Sequence, residues 1–239
     1  MKRRPRFEQY CPLAIASEIL STRWTMLILR ELMEGSTSFN DISRGVPRMS
    51  RSLLATRLKD LSRAGLISRQ PAGPGRPVDY RLTAAGQSLA PILRAVAEWG
   101  QEWLDVDSSL DDDDTDFLMW DVRRNIRLPD DIGGLVIQFV FPDAPEDRQL
   151  HWLVADGPSR EVGFVDPGLP VDVTVEAALA DFKRVWMGWL GFEEATARGL
   201  IAVEGPAQYV RDVPQWLGLS SVSHIAKQPE PQRVLRYSA

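Results

Sequence analysis

Ser36–Leu82, STSFNDISRGVPRMSRSLLATRLKDLSRAGLISRQPAGPGRPVDYRL, is the stretch whose reading decides the fold. Ser38 or Thr37 can cap a short helix carrying Phe39 and Ile42, and Gly45-Val46-Pro47 breaks it. Ser50 is placed to cap the next helix, where Leu54, Leu58 and Leu61 recur at i, i+4 and i+7 and so need a core to face. At about 100° per residue, Ser52, Thr56, Lys59 and Arg63 fall on the opposite face, with Arg51, Ala55 and Arg57 at its flanks. Ala64-Gly65 stops this helix. Leu66–Arg69 and Pro77–Leu82 then read as paired strands joined by the stiff, turn-rich tip Pro71–Arg76. The order is helix, turn, helix, two-stranded wing.

A helix that reads a DNA groove needs short polar side chains toward the base edges and cations placed for phosphates. Ser52 and Thr56 supply the former; Arg48, Arg51, Arg57, Lys59 and Arg63 supply the latter. Arg76, at the wing tip, suits a minor-groove or phosphate contact. Taken alone, the same residues also describe a surface amphipathic helix and a solvated hairpin loop. The charge balance favours DNA: residues 1–104 hold 16 Lys and Arg against 9 Asp and Glu, whereas 105–239 hold 12 against 24. A basic first part is the footprint phosphate binding requires, and the acidic remainder is expected to face away from it.

Upstream, Pro12 begins a helix with Leu13, Ala16, Ile19 and Leu20 at helical spacing. Ser21 or Thr22 is expected to cap a second, with Trp24, Leu27, Ile28 and Leu32 on one face and Gly35 at its end. Downstream, the pattern predicts one long helix from Thr83 to about Leu104, carrying Leu89, Ile92, Leu93, Val96, Trp99 and Trp103. That is more apolar surface than one small core covers, so a homodimer is expected. A dimer reads two half-sites about one helical turn of DNA apart, roughly 34 Å.

The segments CPLAIASEILSTRWTMLILRELMEGSTSFNDI, SRSLLATRLKDLSRAGLI, RPVDYRLTAAGQSLAPIL and VAEWG, in that order, resemble the HxlR-type winged helix-turn-helix transcriptional regulators over about residues 10–104. The resemblance implies a dimeric, DNA-binding regulator, a repressor by expectation, with Ser50–Ala64 as recognition helix and a double-stranded operator as partner. Some members of that family use a cysteine at the position of Cys11 to sense oxidants or electrophiles. For Cys11 such sensing needs an accessible thiol of lowered pKa, and a structural or incidental cysteine is the competing reading.

Residues 105–116 include Asp111-Asp112-Asp113-Asp114 and read as an acidic linker, since the run lacks the alternating ligands and turn glycine of a calcium loop. Phe117–Arg124 then reads as helix. Beyond Pro129 the period changes to that of strands: Leu135–Phe141, Leu150–Val154, Val162–Val165 and Val171–Val175. A helix with Leu179, Phe182, Trp186, Trp189 and Leu190 on one face follows, then a short helix from Phe192 to Arg198, a strand from Leu200 to Glu204 and a closing helix from Pro206 to Leu217. The class predicted for 117–225 is α+β, one sheet with packed helices, and 226–239 reads as a loose tail.

The run DVTVEAALADFKRVWMGWLGFEEATARGLIAVEGP resembles the sterol-carrier-protein-2-like fold, with coverage of about 115–220. That resemblance implies an apolar tunnel for an apolar or lipid-like small molecule, with Phe139, Trp152, Phe182, Trp186, Trp189 and Trp216 as lining. Equally, these aromatics can fill the core.

Other classes have little support in the 239 residues. A basic start followed by Phe-Glu-Gln-Tyr is no secretory signal, no apolar run approaches the roughly 20 residues of a membrane span, and Cys11 is the sole cysteine. A cytoplasmic location with no membrane partner is therefore expected. His151 and His224 are the only imidazoles, and no Gly-x-Ser-x-Gly elbow, Walker loop or Cys/His metal spacing occurs, so neither enzyme activity nor a metal or cofactor is expected. Two functions stay open: a ligand-responsive regulator, or a lipid-carrier or scaffold protein whose winged helix serves dimerisation.

Overall fold

The computed structural model describes residues 7–71, 78–105, 110, 114–129 and 131–234. Two compact units result, Met1–Ala95 and Val96–Ala239.

In the first unit, α1 (Pro12–Leu20) starts with proline, whose fixed φ suits a first turn and whose missing N–H is not needed there. None of its side chains is buried: Leu13 is 74% and Ile15 51% exposed. Ser21 and Thr22 do not cap the following helix. Their hydroxyls donate back to the Ser17 and Glu18 carbonyls and finish α1. Trp24, at φ 78°, is the residue before α2 (Thr25–Met33), an unusual backbone for a side chain of this size. The buried face of α2 is correspondingly Thr25, Ile28, Leu29, Glu31 and Leu32, leaving Leu27 at 40% exposure.

Helix α3 (Phe39–Arg44) is capped by Ser38, whose Oγ accepts from the Asp41 N–H at 3.0 Å. Helix α4 (Arg51–Arg63) is capped by Ser50 and buries Leu54, Leu58 and Leu61, the predicted stripe. Gly65, at φ 76°, ends it: Gly65 N–H donates to Ser62 and Leu66 N–H to Leu61, the paired bonds of a Schellman motif. The wing, β1 (Ile67–Pro71) and β2 (Val78–Leu82), is antiparallel with Arg69 opposite Tyr80. Thr83 joins β2, the α4–β1 turn and the next helix, since its Oγ1 donates to Gly65 O at 2.6 Å and accepts from Gly86 N–H at 3.2 Å.

The single long helix expected from Thr83 is broken in two, α5 (Ala84–Gln87) and α6 (Ala90–Trp103). Pro91 accounts for the break, because inside a continuous helix its ring would strike the Gln87 carbonyl four residues back. Gly86 cannot carry a side chain, as a Cβ there would lie 2.2 Å from the Leu66 carbonyl oxygen.

The second unit is a mixed five-stranded sheet with helices, in the order β5-β4-β3-β6-β7. Its strands are β3 (Leu135–Val140), β4 (Leu150–Asp156), β5 (Ser159–Gly163), β6 (Val173–Ala177) and β7 (Ile201–Glu204); only the β3–β6 pair is parallel. Leu135, Ile137, Phe139, Leu153, Ala155, Val173, Val175 and Ala177 alternate onto one face and meet α7 (Thr115–Asn125), α8 (Leu179–Trp186), α9 (Phe192–Ala197) and α10 (Ala207–Trp216) in one core. Strand β5 starts three residues earlier than the apolar pattern suggests, because Val154-Ala155-Asp156 and Ser159-Arg160-Glu161 pair across the Gly157 turn.

Described residues of the acidic linker and of the tail are anchored. Leu110 is 6% exposed and its carbonyl accepts from Lys183 Nζ at 2.9 Å. The segment read as a loose tail returns to the end of α6: Gln228 Nε2 donates to Glu102 Oε1 at 2.6 Å, and Val234 exchanges backbone bonds with Trp103 and Asp105. Gln101, 4% exposed, donates to the Met187 carbonyl. These bonds explain why the unit boundary falls at Ala95, ahead of residue 104.

Candidate functional site

Helix α4 presents Arg51, Ser52, Ala55, Thr56, Lys59 and Arg63 to solvent while its leucines are inside. Each polar side chain is in a different state. Thr56 Oγ1 donates back to the Ser52 carbonyl at 3.0 Å, and Ser52 Oγ lies 3.3 Å from Ser50 Oγ. These short hydroxyls are held close to the helix, which leaves its face low. Arg51 stacks over Phe39 at 4.7 Å and donates to Asn40 Oδ1 at 2.8 Å, so α3 pre-orients its guanidinium. Arg63 lies 3.9 Å from Asp60, and Arg48, just before the helix, is exposed.

Arg57 differs from the others. Its Nε donates to the Arg23 carbonyl and its Nη1 to Asp60, both at 3.3 Å, and only 19% of its side chain is exposed. It therefore ties α4 to the turn that precedes the strained Trp24, where Arg23 stacks at 5.3 Å. Sequence spacing put Arg57 at the flank of the outer face but gave no signal of the Arg23 carbonyl. Arg76 lies outside the described residues.

The turn between α3 and α4 is held to α2 by a clamp unread in the sequence. Glu31 is fully buried in α2. Its Oε1 accepts from Arg30 at 2.8 Å, its Oε2 from Ser36 at 3.4 Å, and the same Arg30 Nη2 donates to the Gly45 carbonyl at 2.9 Å. Gly45 admits this carboxylate: a Cβ there would come within 1.9 Å of it. A side chain at this position would have to displace the Glu31 carboxylate, although the φ of −76° suits any residue.

The HxlR-like helix-turn-helix family model matches residues 19–108. The uncharacterized HTH-type transcriptional regulator YvaP of Bacillus subtilis is 41% identical over 103 residues, covering 42% of this chain and 89% of that protein. The chain belongs to the HxlR-like helix-turn-helix family. An uncharacterized HTH-type transcriptional regulator of Methanothermobacter thermautotrophicus is 36% identical over 96 residues, 39% of this chain and 72% of its own length. Another, sll1512 of Synechocystis, is 35% identical over 108 residues, 44% and 79% respectively.

In this HxlR-like chain Cys11 is an exposed free thiol at the residue preceding α1. The aromatic candidates of the second unit separate by strand parity and packing. Phe139 and Phe182 meet edge-on at 5.8 Å in the core, with Trp186 and Trp216 in the same cluster. Trp152 pairs with Gln138 while Phe139 pairs with His151, so Trp152 points to the opposite sheet face. Trp189 lines a cavity of about 490 Å³.

No group of three or more His, Cys, Asp or Glu side chains is arranged to hold a metal among the described residues. No described helix is long and apolar enough to cross a membrane.

Proposed function

We propose that the protein is a sequence-specific DNA-binding transcriptional regulator that works as a homodimer and represses by occupying its operator. The observation that carries this is α4: a capped helix with three leucines inside, Ser52 and Thr56 low on its outer face, and Arg51, Lys59 and Arg63 around them. Its relatives' names as HTH-type transcriptional regulators point the same way.

Dimerisation is supported by apolar side chains left in water. Leu13 and Ile15 on α1, and Ile92, Val96 and Trp99 on α6, are each about half exposed or more. A second copy covering these helices would bury them and set two α4 helices at half-site spacing. The second unit we read as sterol-carrier-protein-2-like, on its order of strand, aromatic helix, short glycine-stopped helix and strand.

Selection of bound fragments from genomic DNA tests the reading. The expected result is one enriched, two-fold-symmetric sequence whose binding the Ser52→Ala, Thr56→Ala double variant loses while keeping its thermal unfolding. Absence of any sequence preference at physiological salt would refute it.

A further inference from the structure

The first turn of α4 carries a cation where helix electrostatics disfavours one. The N-terminal end of a helix bears partial positive charge and prefers acidic side chains in that turn. In α4 the turn holds Arg51 and no acid. The carboxylate that follows Asn40 in α3 is engaged elsewhere: Asp41 accepts from Ser38 Oγ at 2.7 Å and pairs with Arg44 at 3.6 Å. Arg51 thus opposes the helix dipole, and its value lies in what the guanidinium meets outside the fold.

Two residues of α3 fix where that guanidinium lies. The Phe39 ring, itself packed against the first core, has its centre 4.7 Å from Arg51 Cζ, and Asn40 Oδ1 accepts from Arg51 Nη2 at 2.8 Å. The platform is firm, because Ser38 and Ser50 cap α3 and α4, and Ile42, Val46 and Met49 are buried between them. Rotamer freedom that a long side chain normally loses on binding is therefore lost beforehand.

The orienting acceptor is a neutral amide. A carboxylate there would offset the charge, as Asp60 does for Arg57 and Arg63, whereas Asn40 aims the guanidinium and leaves its charge in place. Only one of the two Nη2 hydrogens is needed for Asn40, so the other can act with Nη1 on a two-point acceptor. The Ser52 and Thr56 hydroxyls lie close against the helix, and the donors that reach furthest at this end of α4 are those of Arg51. A phosphate contact is satisfied by a mobile point charge. The O6 and N7 edge of guanine in the major groove instead needs a planar fork held in one orientation.

We propose, resting on the DNA-binding reading above, that Arg51 reads a guanine of the operator and that Asn40 is the residue that positions it. Sequence spacing groups Arg51 with the phosphate-contacting cations; its fixed plane assigns it to a base edge.

Duplexes selected from a random pool by the full chain, then substituted one base pair at a time and measured by fluorescence anisotropy, test this. A G·C pair is expected at which replacement weakens binding by about tenfold or more. Arg51→Lys keeps the charge without the fork and should erase discrimination at that pair alone. Asn40→Ala should erase most of it too. Asn40→Asp retains an oxygen acceptor and should preserve the discrimination, while its added negative charge lowers affinity for every duplex. Both side chains are exposed, so these variants are expected to keep the fold. Discrimination at every G·C pair that survives Arg51→Lys, or survives Asn40→Ala, would overturn the assignment, while a selected sequence still upholds the wider DNA-binding reading. A pool that yields no preferred sequence overturns both.

Discussion

Arg57 and Lys59 are two cations on one helix, two residues apart, with different work. Lys59 is exposed on the outer face of α4, whereas Arg57 bridges Asp60 and the Arg23 carbonyl. Lys59→Ala is therefore expected to weaken binding to all DNA sequences alike and to reduce the slope of log K against log salt by about one, with unfolding unchanged. Arg57→Ala should instead lower stability, by about 0.5–1.5 kcal/mol in urea unfolding, since it removes the donor that ties α4 to the Arg23 carbonyl and to Asp60. Fluorescence anisotropy over a salt series beside denaturant curves separates the two. A second residue-scale expectation concerns acid. The contact with His151, 4.0 Å away and so longer than a hydrogen bond, and the Arg148 guanidinium at 3.2 Å hold the Asp116 carboxyl below its ordinary value of 3.8, against the opposing effect of burial. Ionised Asp116 therefore stabilises the fold above pH 3.8, and this contribution is lost as pH falls through 3.8 toward the folded-state value. Asp116→Asn should lower the urea midpoint at pH 7 and flatten its decline on acidification, the difference closing at the acid end. Equal loss at every pH would contradict the assignment.

Among elements, α6 has the clearest split. Leu93, near its start, packs on the first core; Ile92, Val96 and Trp99 are about half exposed; and Gln101, Glu102 and Trp103 are bonded to Met187, Gln228 and Val234. A dimer formed through the exposed stripe predicts that Ile92→Glu with Val96→Glu gives a folded monomer in sedimentation, with operator affinity reduced about 100-fold or more because one half-site is lost. A dimer that persists in this variant places the interface elsewhere. The ends of helices α4 and α9 were legible to within one residue because each is followed by a glycine, Gly65 and Gly199, that makes the same pair of terminal bonds. Helix α8 was read too long for an instructive reason. Its apolar spacing continues through Trp189 and Leu190, and periodicity does not register that Gly188 has already reversed the chain.

For the whole molecule, charge segregation is the property that the proposed function draws on. Residues 1–104 carry an excess of 7 positive charges and the remainder an excess of 12 negative ones. The acidic part is expected to oppose non-specific DNA binding, so a fragment of residues 1–104 should bind random duplex more tightly than the full chain at low salt, the difference vanishing as salt rises. Anisotropy titrations on a scrambled duplex check this, and equal affinity at low salt would remove the acidic part from the account. By itself the sequence determined the local structure: the caps Ser38 and Ser50, the leucine stripe of α4, the glycine stops, the wing strands and the strand–helix order of the second unit. These follow from the side chain's own stereochemistry and from the spacing of apolar residues along one segment. Only the tertiary structure decided that Glu31 is buried against Gly45, that Arg57 is a tether, that the segment before Val234 is docked, and that Trp189 lines a cavity while Phe139 and Trp152 occupy opposite faces of the sheet. Each of those depends on a contact between residues distant in sequence, and one-dimensional spacing carries no information about which distant backbone will arrive beside a given side chain.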